Sequence, residues 1–303
     1  MWYKCTMDMI TGENDKGRRL DRILRKSLPN HSLALIHRLI RQKQVFVDGK
    51  AARAEDRICS GAMISIPSLK DEKNSPSFKA PKGALSILWE DLGLLALNKP
   101  PGLAVHGSGS LDEMVRSYLK DKLPPSLSFR PGPQHRLDKP SSGIVVFSTS
   151  LDGARLFSSL LHEQRVRKIY LAVVEGKVKN DDVWEDNLSR DKNIKKTFIT
   201  QHGDEGKKAV TKITPLAVEN NFSLIQAEIL TGRTHQIRAQ ASAHGHPLAG
   251  DKKYGGSGGG NFFLHAWKLE FLNYSIEAPL PESSRYNYHN SVIALLRSMK
   301  FGR

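Results

Sequence analysis

HRLDKPSSGIVVFS, residues 135–148, carries the reading of this chain. Its second half, Gly-Ile-Val-Val-Phe at 143–147, is an unbroken apolar run of the length of a buried strand. Its first half is polar, and Pro140 limits its freedom. Asp138 therefore rides in a short loop that runs straight into a rigid element, where a reacting carboxylate can be held in place. An Asp before a strand is also a common turn or cap residue, and Arg136 a surface charge or its ion-pair partner. The segment alone leaves both readings open.

Two later segments share its character of polar residues set beside strands: RKIYLAVVEG (167–176) and TGRTHQIRAQASAHGHPLAGDKKYG (231–255). Tyr170 stands at the entry of an apolar strand, either as a core residue with its hydroxyl at the rim or as a ring against which a base is held. Thr231-Gly232 closes a strand and Thr234 can cap a helix, so Arg233 sits at a strand-to-helix junction. From there it can bind a carboxylate bidentately and keep it ionised, or form a structural ion pair. Strands are expected at 85–98, 143–148, 169–175, 222–230 and 262–271, and helices at 111–120, 151–165 and 234–244. In the second of these helices Leu151, Ala154, Phe157, Leu160 and Leu161 share an apolar stripe. GGSGGG (255–260) reads as a loop, since no Gly-Lys-Ser/Thr pattern between strand and helix accompanies it.

Upstream the chain changes character. The first 80 residues hold 16 Lys and Arg against 9 Asp and Glu, about half of the whole excess of +15 in a 303-residue chain. A helix around Leu20–Leu28 carries Arg18, Arg19, Arg22, Arg25 and Lys26. Asn30 or Ser32 can cap a second helix, with Leu33, Ile36, Leu39 and Ile40 on one face and His37, Arg38, Arg41 and Lys43 elsewhere. VFV-DG-KAA then reads as a hairpin turning at Asp48-Gly49. The expected division is an arm (1–16), a basic module (17–67), a Ser-, Pro- and Lys-rich linker (68–84), a large domain (85–280) and a basic tail (281–303) whose SVIALLRSMKFGR suggests a short helix.

Charge of this sign and size, with a sequence pI near 9.8, argues for a polyanionic partner, nucleic acid first. No apolar run approaches the roughly 20 residues that span a bilayer, so no membrane role is expected. MWYKCTMDMI lacks the apolar core of a signal peptide, which points to a cytoplasmic location. Cys5 and Cys59 cannot build a disulfide framework, and His235, His244 and His246 match no metal spacing, so no metal is expected. No G-x-S-x-G elbow supports a serine hydrolase.

Taken together, HRLDKPSSG, KIYLAVVEG, TGRTHQIR followed by HGHPLAGDKKYG, and FLHAWKLEF resemble the RluA-type pseudouridine synthases, in family order over about 85–280. LNKPPGLAVHGSGS (97–110) is most similar to the branch that modifies large-subunit ribosomal RNA, and residues 17–67 resemble a small RNA-binding domain named after a small-subunit ribosomal protein. Pro140-Ser141-Ser142 stands where a Thr-Ser pair is common, and 181–212 fits the family loosely. The resemblance implies an α+β fold with a mixed, largely antiparallel central sheet and flanking helices, behind a small α/β module. It implies a monomeric isomerase without a cofactor, acting on structured, large-subunit-type ribosomal RNA. It makes Asp138 the catalytic residue, either as nucleophile on the sugar or as base at its 2′ carbon. Arg233 becomes the partner of that Asp, Tyr170 the ring packed on the uracil, and Leu264 a pocket wall. Arg136 lies near the flipped base, with His135 beside it. Arg22, Arg38, Arg41 and Lys43 join these two as RNA contacts. A pure RNA-binding assembly factor would suit the charge equally well but would need none of the Asp138, Tyr170 and Arg233 set. A nucleoside hydrolase would lack a second carboxylate.

Overall fold

A computed structural model describes residues 6–69, 84–200, 206–258, 260–282, 292 and 295. Most of the expected linker and tail, together with Gly259 of the glycine-rich stretch, lies outside the described residues. The front module is a four-stranded antiparallel sheet backed by two helices: β1 (Thr6–Ile10), α1 (Leu20–Ser27), α2 (Leu33–Arg41), β2 (Phe46–Val47), β3 (Lys50–Ala51) and β4 (Met63–Pro67), in sheet order β1-β4-β2-β3. The Ser32 hydroxyl caps α2 by accepting from the Leu35 N–H at 3.2 Å. Ile36, Leu39 and Ile40 are buried as the periodicity requires, whereas Leu33 stays exposed, one turn outside the covered stripe. Asp48 (φ 49°) and Gly49 (φ 78°) both take the left-handed conformation that a two-residue hairpin turn demands. The expected arm at 1–16 needs correction. Thr6–Ile10 pairs along its whole length with β4, because its alternating side chains complete the small core through Met7 and Met9.

The large domain is one eleven-stranded sheet. Its strands are β5 (Ile87–Asp91), β6 (Leu94–Lys99), β7 (Gly132–Pro133), β8 (Ser142–Ser148), β9 (Val166–Glu175), β10 (Asp182–Asp191), β11 (Lys196–Ile199), β12 (Lys207–Glu219), β13 (Phe222–Ile229), β14 (Leu264–Phe271) and β15 (Tyr274–Glu277). The helices α3 (Leu111–Leu119), α4 (Leu151–His162) and α5 (Gln236–Ala243) flank it. The order is β11-β10-β12-β13-β9-β14-β8-β6-β5, with β15 beside β14 and β7 beside β8. Every pairing is antiparallel except β14 with β8, as a mixed, largely antiparallel sheet requires. Segment 85–98 is a hairpin rather than one strand, since Leu92 (φ 53°) and Gly93 (φ 69°) turn the chain back.

Side-chain alternation assigns the two faces. Val145, Phe147, Tyr170 and Ala172 point toward α3 and α5, packing near Val115, Leu119, Ile237 and Ala241. Ile144 and Val146 point to the other side, onto Phe157 and Leu160 of α4. Farther along that side, Leu171 and Val173 pack with Phe263, Val292 and Leu295. Val292 and Leu295 fall within the expected tail; both are helical and buried, and these two side chains pack on the sheet.

Candidate active site

The strand β8 starts where its backbone closely approaches that of β14. Gly143 has φ +103°, and a Cβ there would lie 2.2 Å from the Ala266 carbonyl oxygen of β14, so only glycine allows the two strands to meet. The loop before it carries Asp138. Ser141 N–H donates to the Asp138 carbonyl at 3.1 Å, and Gly102 N–H donates to the Lys139 carbonyl at 2.8 Å. The Lys99 ammonium, wholly buried, donates to the carbonyls of Pro100 (3.0 Å), Leu103 (2.8 Å) and Lys139 (3.2 Å). Burial lowers its pKa to about 7, while Asp138 pulls the other way. Sequence reasoning passed over Lys99; a lysine closing an apolar strand just before Pro-Pro-Gly was the signal available.

The Asp138 carboxylate is 17% exposed and holds a salt bridge with Arg238, Nη1 to Oδ2 at 2.7 Å. Arg238 faces a second carboxylate with its remaining edge: Nε and Nη2 donate to Asp251 at 2.7 and 2.8 Å. Its guanidinium carbon also lies 4.9 Å from the Tyr254 ring centre and 4.5 Å from that of Phe262. Burial works against the Arg238 charge, but Asp251 and Asp138 outweigh it and raise the pKa. On the other side of Asp138, His235 Nε2 is 3.5 Å from Oδ1. Tyr254 hydroxyl accepts from Thr197 N–H and is 2.8 Å from His235 Nδ1, so its own proton is free to point at that nitrogen. Burial lowers the His235 pKa, opposed by Asp138. A neutral imidazole with Nε2–H toward the carboxylate satisfies every member of this chain.

The expectation that Arg233 pairs with Asp138 is corrected by this geometry. Arg233 is exposed, and its Nε donates to the Lys208 carbonyl at 2.9 Å. The chain enters α5 through His235 at φ +54°, in the N-cap position expected for Thr234, so Arg233 is left before the helix while Arg238 is carried inward on it. The signal for Arg238 was its setting: a helix buried on nearly every side holds an arginine only if carboxylates reach it from elsewhere.

The other expected residues do gather here. A pocket of about 70 Å³ is lined by Arg136, Asp138, Tyr170, His235, Arg238 and Leu264 among others. A wider cavity of about 410 Å³ shares Arg136, Asp138, Tyr170, Arg233 and His235 with it and also reaches His135. Tyr170 on β9 stands opposite Ala266 of β14, two residues from Leu264, which puts both on the pocket floor. Burial, reinforced by Asp138, pushes the Tyr170 hydroxyl well above its ordinary pKa. The Ser141 hydroxyl, also at this pocket, is buried with no hydrogen-bond partner among the described residues. Arg136 is exposed at the mouth. His135 reaches the cavity wall, but its Nε2 accepts from Val146 N–H at 3.2 Å; burial and then Lys168 lower its pKa to about 4, so it is a neutral anchor of the loop. Arg22, Arg38, Arg41 and Lys43 are all exposed on the front module. Only Arg41 and Lys43 join His37 and Arg53 around a cavity of about 620 Å³.

The fold is that of the pseudouridine synthases. The structure titled human RNA Pseudouridylate Synthase Domain Containing 4 superposes with a TM-score of 0.56 at 22% identity, covering 65% of this chain and 89% of its own. In sequence, the RNA pseudouridylate synthase profile matches residues 93–243 and the S4 domain profile residues 18–64. The ribosomal large subunit pseudouridine synthase C of Vibrio vulnificus is 33% identical over 286 residues, 88% of this chain and 89% of the relative. The ribosomal large subunit pseudouridine synthase D of Neisseria meningitidis serogroup A is 34% identical over 289 residues, covering 88% and 76%. The chain belongs to the RNA pseudouridine synthase family, and is an isomerase with an RNA-binding domain at its front.

Proposed function

We propose that this protein isomerises selected uridines of large-subunit ribosomal RNA, the substrate class named for its relatives in Vibrio and Neisseria. The observation that carries the site assignment is the Asp138–Arg238 pair at the foot of a pocket walled by Tyr170 and Leu264. In the reaction the bond between ribose C1′ and ring N1 breaks, the base turns, and C1′ joins C5. The proton on C5 leaves and N1 gains one. Redox state is unchanged throughout. Asp138 supplies the carboxylate that acts on the ribose, and Arg238 aims it through their salt bridge. Tyr170, kept protonated by its surroundings, packs on the uracil and is available as a proton donor.

A uridine stacked in folded RNA must leave its stack to reach Asp138, at a cost of about a few kcal/mol. Arg136 at the mouth takes the vacated place by stacking and hydrogen bonding. The front module, through Arg22, Arg38, Arg41 and Lys43, holds phosphates at a distance and so adds affinity and register more than rate.

Tritium release from large-subunit RNA labelled at uracil C5 measures the reaction directly. Asp138→Asn should lower it by about a thousandfold or more while the RNA dissociation constant changes less than about twofold. Full turnover by that variant would remove Asp138 from the chemistry.

A further inference from the structure

Behind the uridine pocket lies a second cavity, of about 370 Å³, that the proposed reaction leaves unused. Ser189 and Arg190 of β10, Thr197 of β11, Lys207 of β12, and Arg233 and Thr234 before α5 line it. Arg233 and Thr234, with Gly232, line the wider catalytic cavity too, so the two spaces share one wall. Strand pairing assembles the far side: Leu188 stands opposite Lys207, and Arg190 opposite Thr197. Alternation puts Arg190 on the same face as buried Leu188, toward α5, and its Nη1 donates to the Thr234 hydroxyl at 3.3 Å.

The charge of this cavity is one-sided. Its lining, among the described residues, holds three cations and no carboxylate. Among the described residues, neither Arg190, Lys207 nor Arg233 has an acidic partner, whereas the neighbouring Lys208 is paired with Glu185. Among the described residues, the Arg233 guanidinium donates from Nε to the Lys208 carbonyl, and Arg190 from one nitrogen to the Thr234 hydroxyl. Three exposed cations around one cavity, with no acid beside them among the described residues, repel each other unless an anion joins them.

We propose that this cavity holds a backbone phosphodiester next to the uridine presented to Asp138, making the β10–β11 hairpin a clamp on the RNA strand. The inference rests on the function proposed above and adds to it a separate site. Arg233 is the shared post: the base enters on one side of it and the adjoining phosphate is held on the other. The class of ligand follows from the donors, since guanidinium forks and an ammonium with nearby hydroxyls match phosphate oxygens. Placed here, the contact would act on which uridine is aligned and on affinity, because it touches no reacting atom.

The test uses the full-length protein and labelled large-subunit RNA transcript. The double variant Arg190→Ala/Lys207→Ala should raise KM about tenfold with kcat within about twofold, and should flatten the salt dependence of RNA binding by about 0.7 to 0.9 per charge removed. Arg190→Lys/Lys207→Arg should restore both, which a merely structural role would not. Lys208→Ala, with its charge already answered by Glu185, serves as the neighbouring control and should match wild type. Methylphosphonate at the phosphate beside the modified uridine should penalise wild type and not the double variant. Unchanged KM and salt slope in a double variant, beside an active wild type, would overturn the clamp alone. A wild type that binds RNA but releases no tritium would overturn the isomerase reading, and the clamp with it.

Discussion

At the scale of single residues, the two arginines of TGRTHQIR have different work. Arg238 answers two carboxylates at once, Asp251 buried and Asp138 half-buried, and removing it would take that cation from both. Breaking such a pair from one side costs about 3–5 kcal/mol, far more than a surface pair returns. Arg238→Met should therefore lower the unfolding free energy by that order in a denaturant titration and abolish tritium release. Arg238→Lys keeps the charge but loses the fork that spans two carboxylates, so it should fall between. Arg233→Ala should leave unfolding within about 0.5 kcal/mol of wild type, as an exposed substitution does. A stable, active Arg238→Met protein would refute this division. In the sequence Arg233 follows the end of β13 at Ile229 by four residues and Arg238 by nine, and that spacing alone does not say which of them reaches Asp138. What separates them is a left-handed His235, a conformation that non-glycine residues adopt rarely and that no periodicity announces.

At the scale of elements, the legible parts are those with strong patterns. β8, β9, β13 and β14 have apolar runs or alternation, and α4 has its stripe, so each lies close to its expected range. The strands β10 and β12 were not anticipated because one face of each meets solvent and their exposed positions are rich in Lys, Asp and Glu. Of β10 only Trp184 and Leu188 are buried, too few to read as a strand without the partner that covers them. Pocket residues were legible as loops beside strands; their grouping was not, since it depends on β14 inserting between β8 and β9. That insertion contains a buried switch. The Ser142 hydroxyl is 2.8 Å from His265 Nδ1, and His265 Nε2 is 3.2 Å from the Ala278 carbonyl, which only an Nε2–H can satisfy. Burial lowers the ring's pKa to about 4, against a weaker opposing pull from Ala278, so near neutral pH the ring is uncharged and Nδ1 accepts from the Ser142 hydroxyl. The folded pKa lies below the unfolded value of about 6.5, so this contribution is whole above that pH and is lost as pH falls toward 4. Urea unfolding should show a loss of at most about 3 kcal/mol from this group over that window, at about 1.4 kcal/mol per pH unit. His265→Gln should flatten the slope there, and an unaltered slope would contradict the assignment.

At the scale of the whole molecule, the front module is seated on the catalytic domain by one buried acid. Asp15 is fully buried and accepts from Gly12 N–H, Leu127 N–H, Ser128 N–H and the hydroxyls of Ser126 and Ser128. Asn14 accepts from Leu151 N–H at the start of α4, and Arg18 donates to the Ser128 carbonyl. Leu127 packs in turn on the small core. Burial alone would raise the Asp15 pKa; the donors of Ser128, Gly12, Leu127 and Ser126 outweigh it and lower it. Its stabilising effect is thus present above the unfolded carboxylate value and lost as pH falls through the lower folded one. Arg41 and Lys43 are consequently held on the same body as Asp138, and on the function proposed above this would turn RNA affinity into register. Deleting the module would also strip the cover from residues 126–128, so a point variant is the cleaner probe. Asp15→Ala leaves several buried donors without acceptors, at about 1–3 kcal/mol for each group stranded away from water. The module should then melt as a separate, earlier transition in calorimetry. Tritium release should fall at subsaturating RNA, where alignment limits the rate, and recover at saturation, where it does not. A single unshifted melting transition with unchanged kcat/KM would show that Asp15 does not couple the two domains.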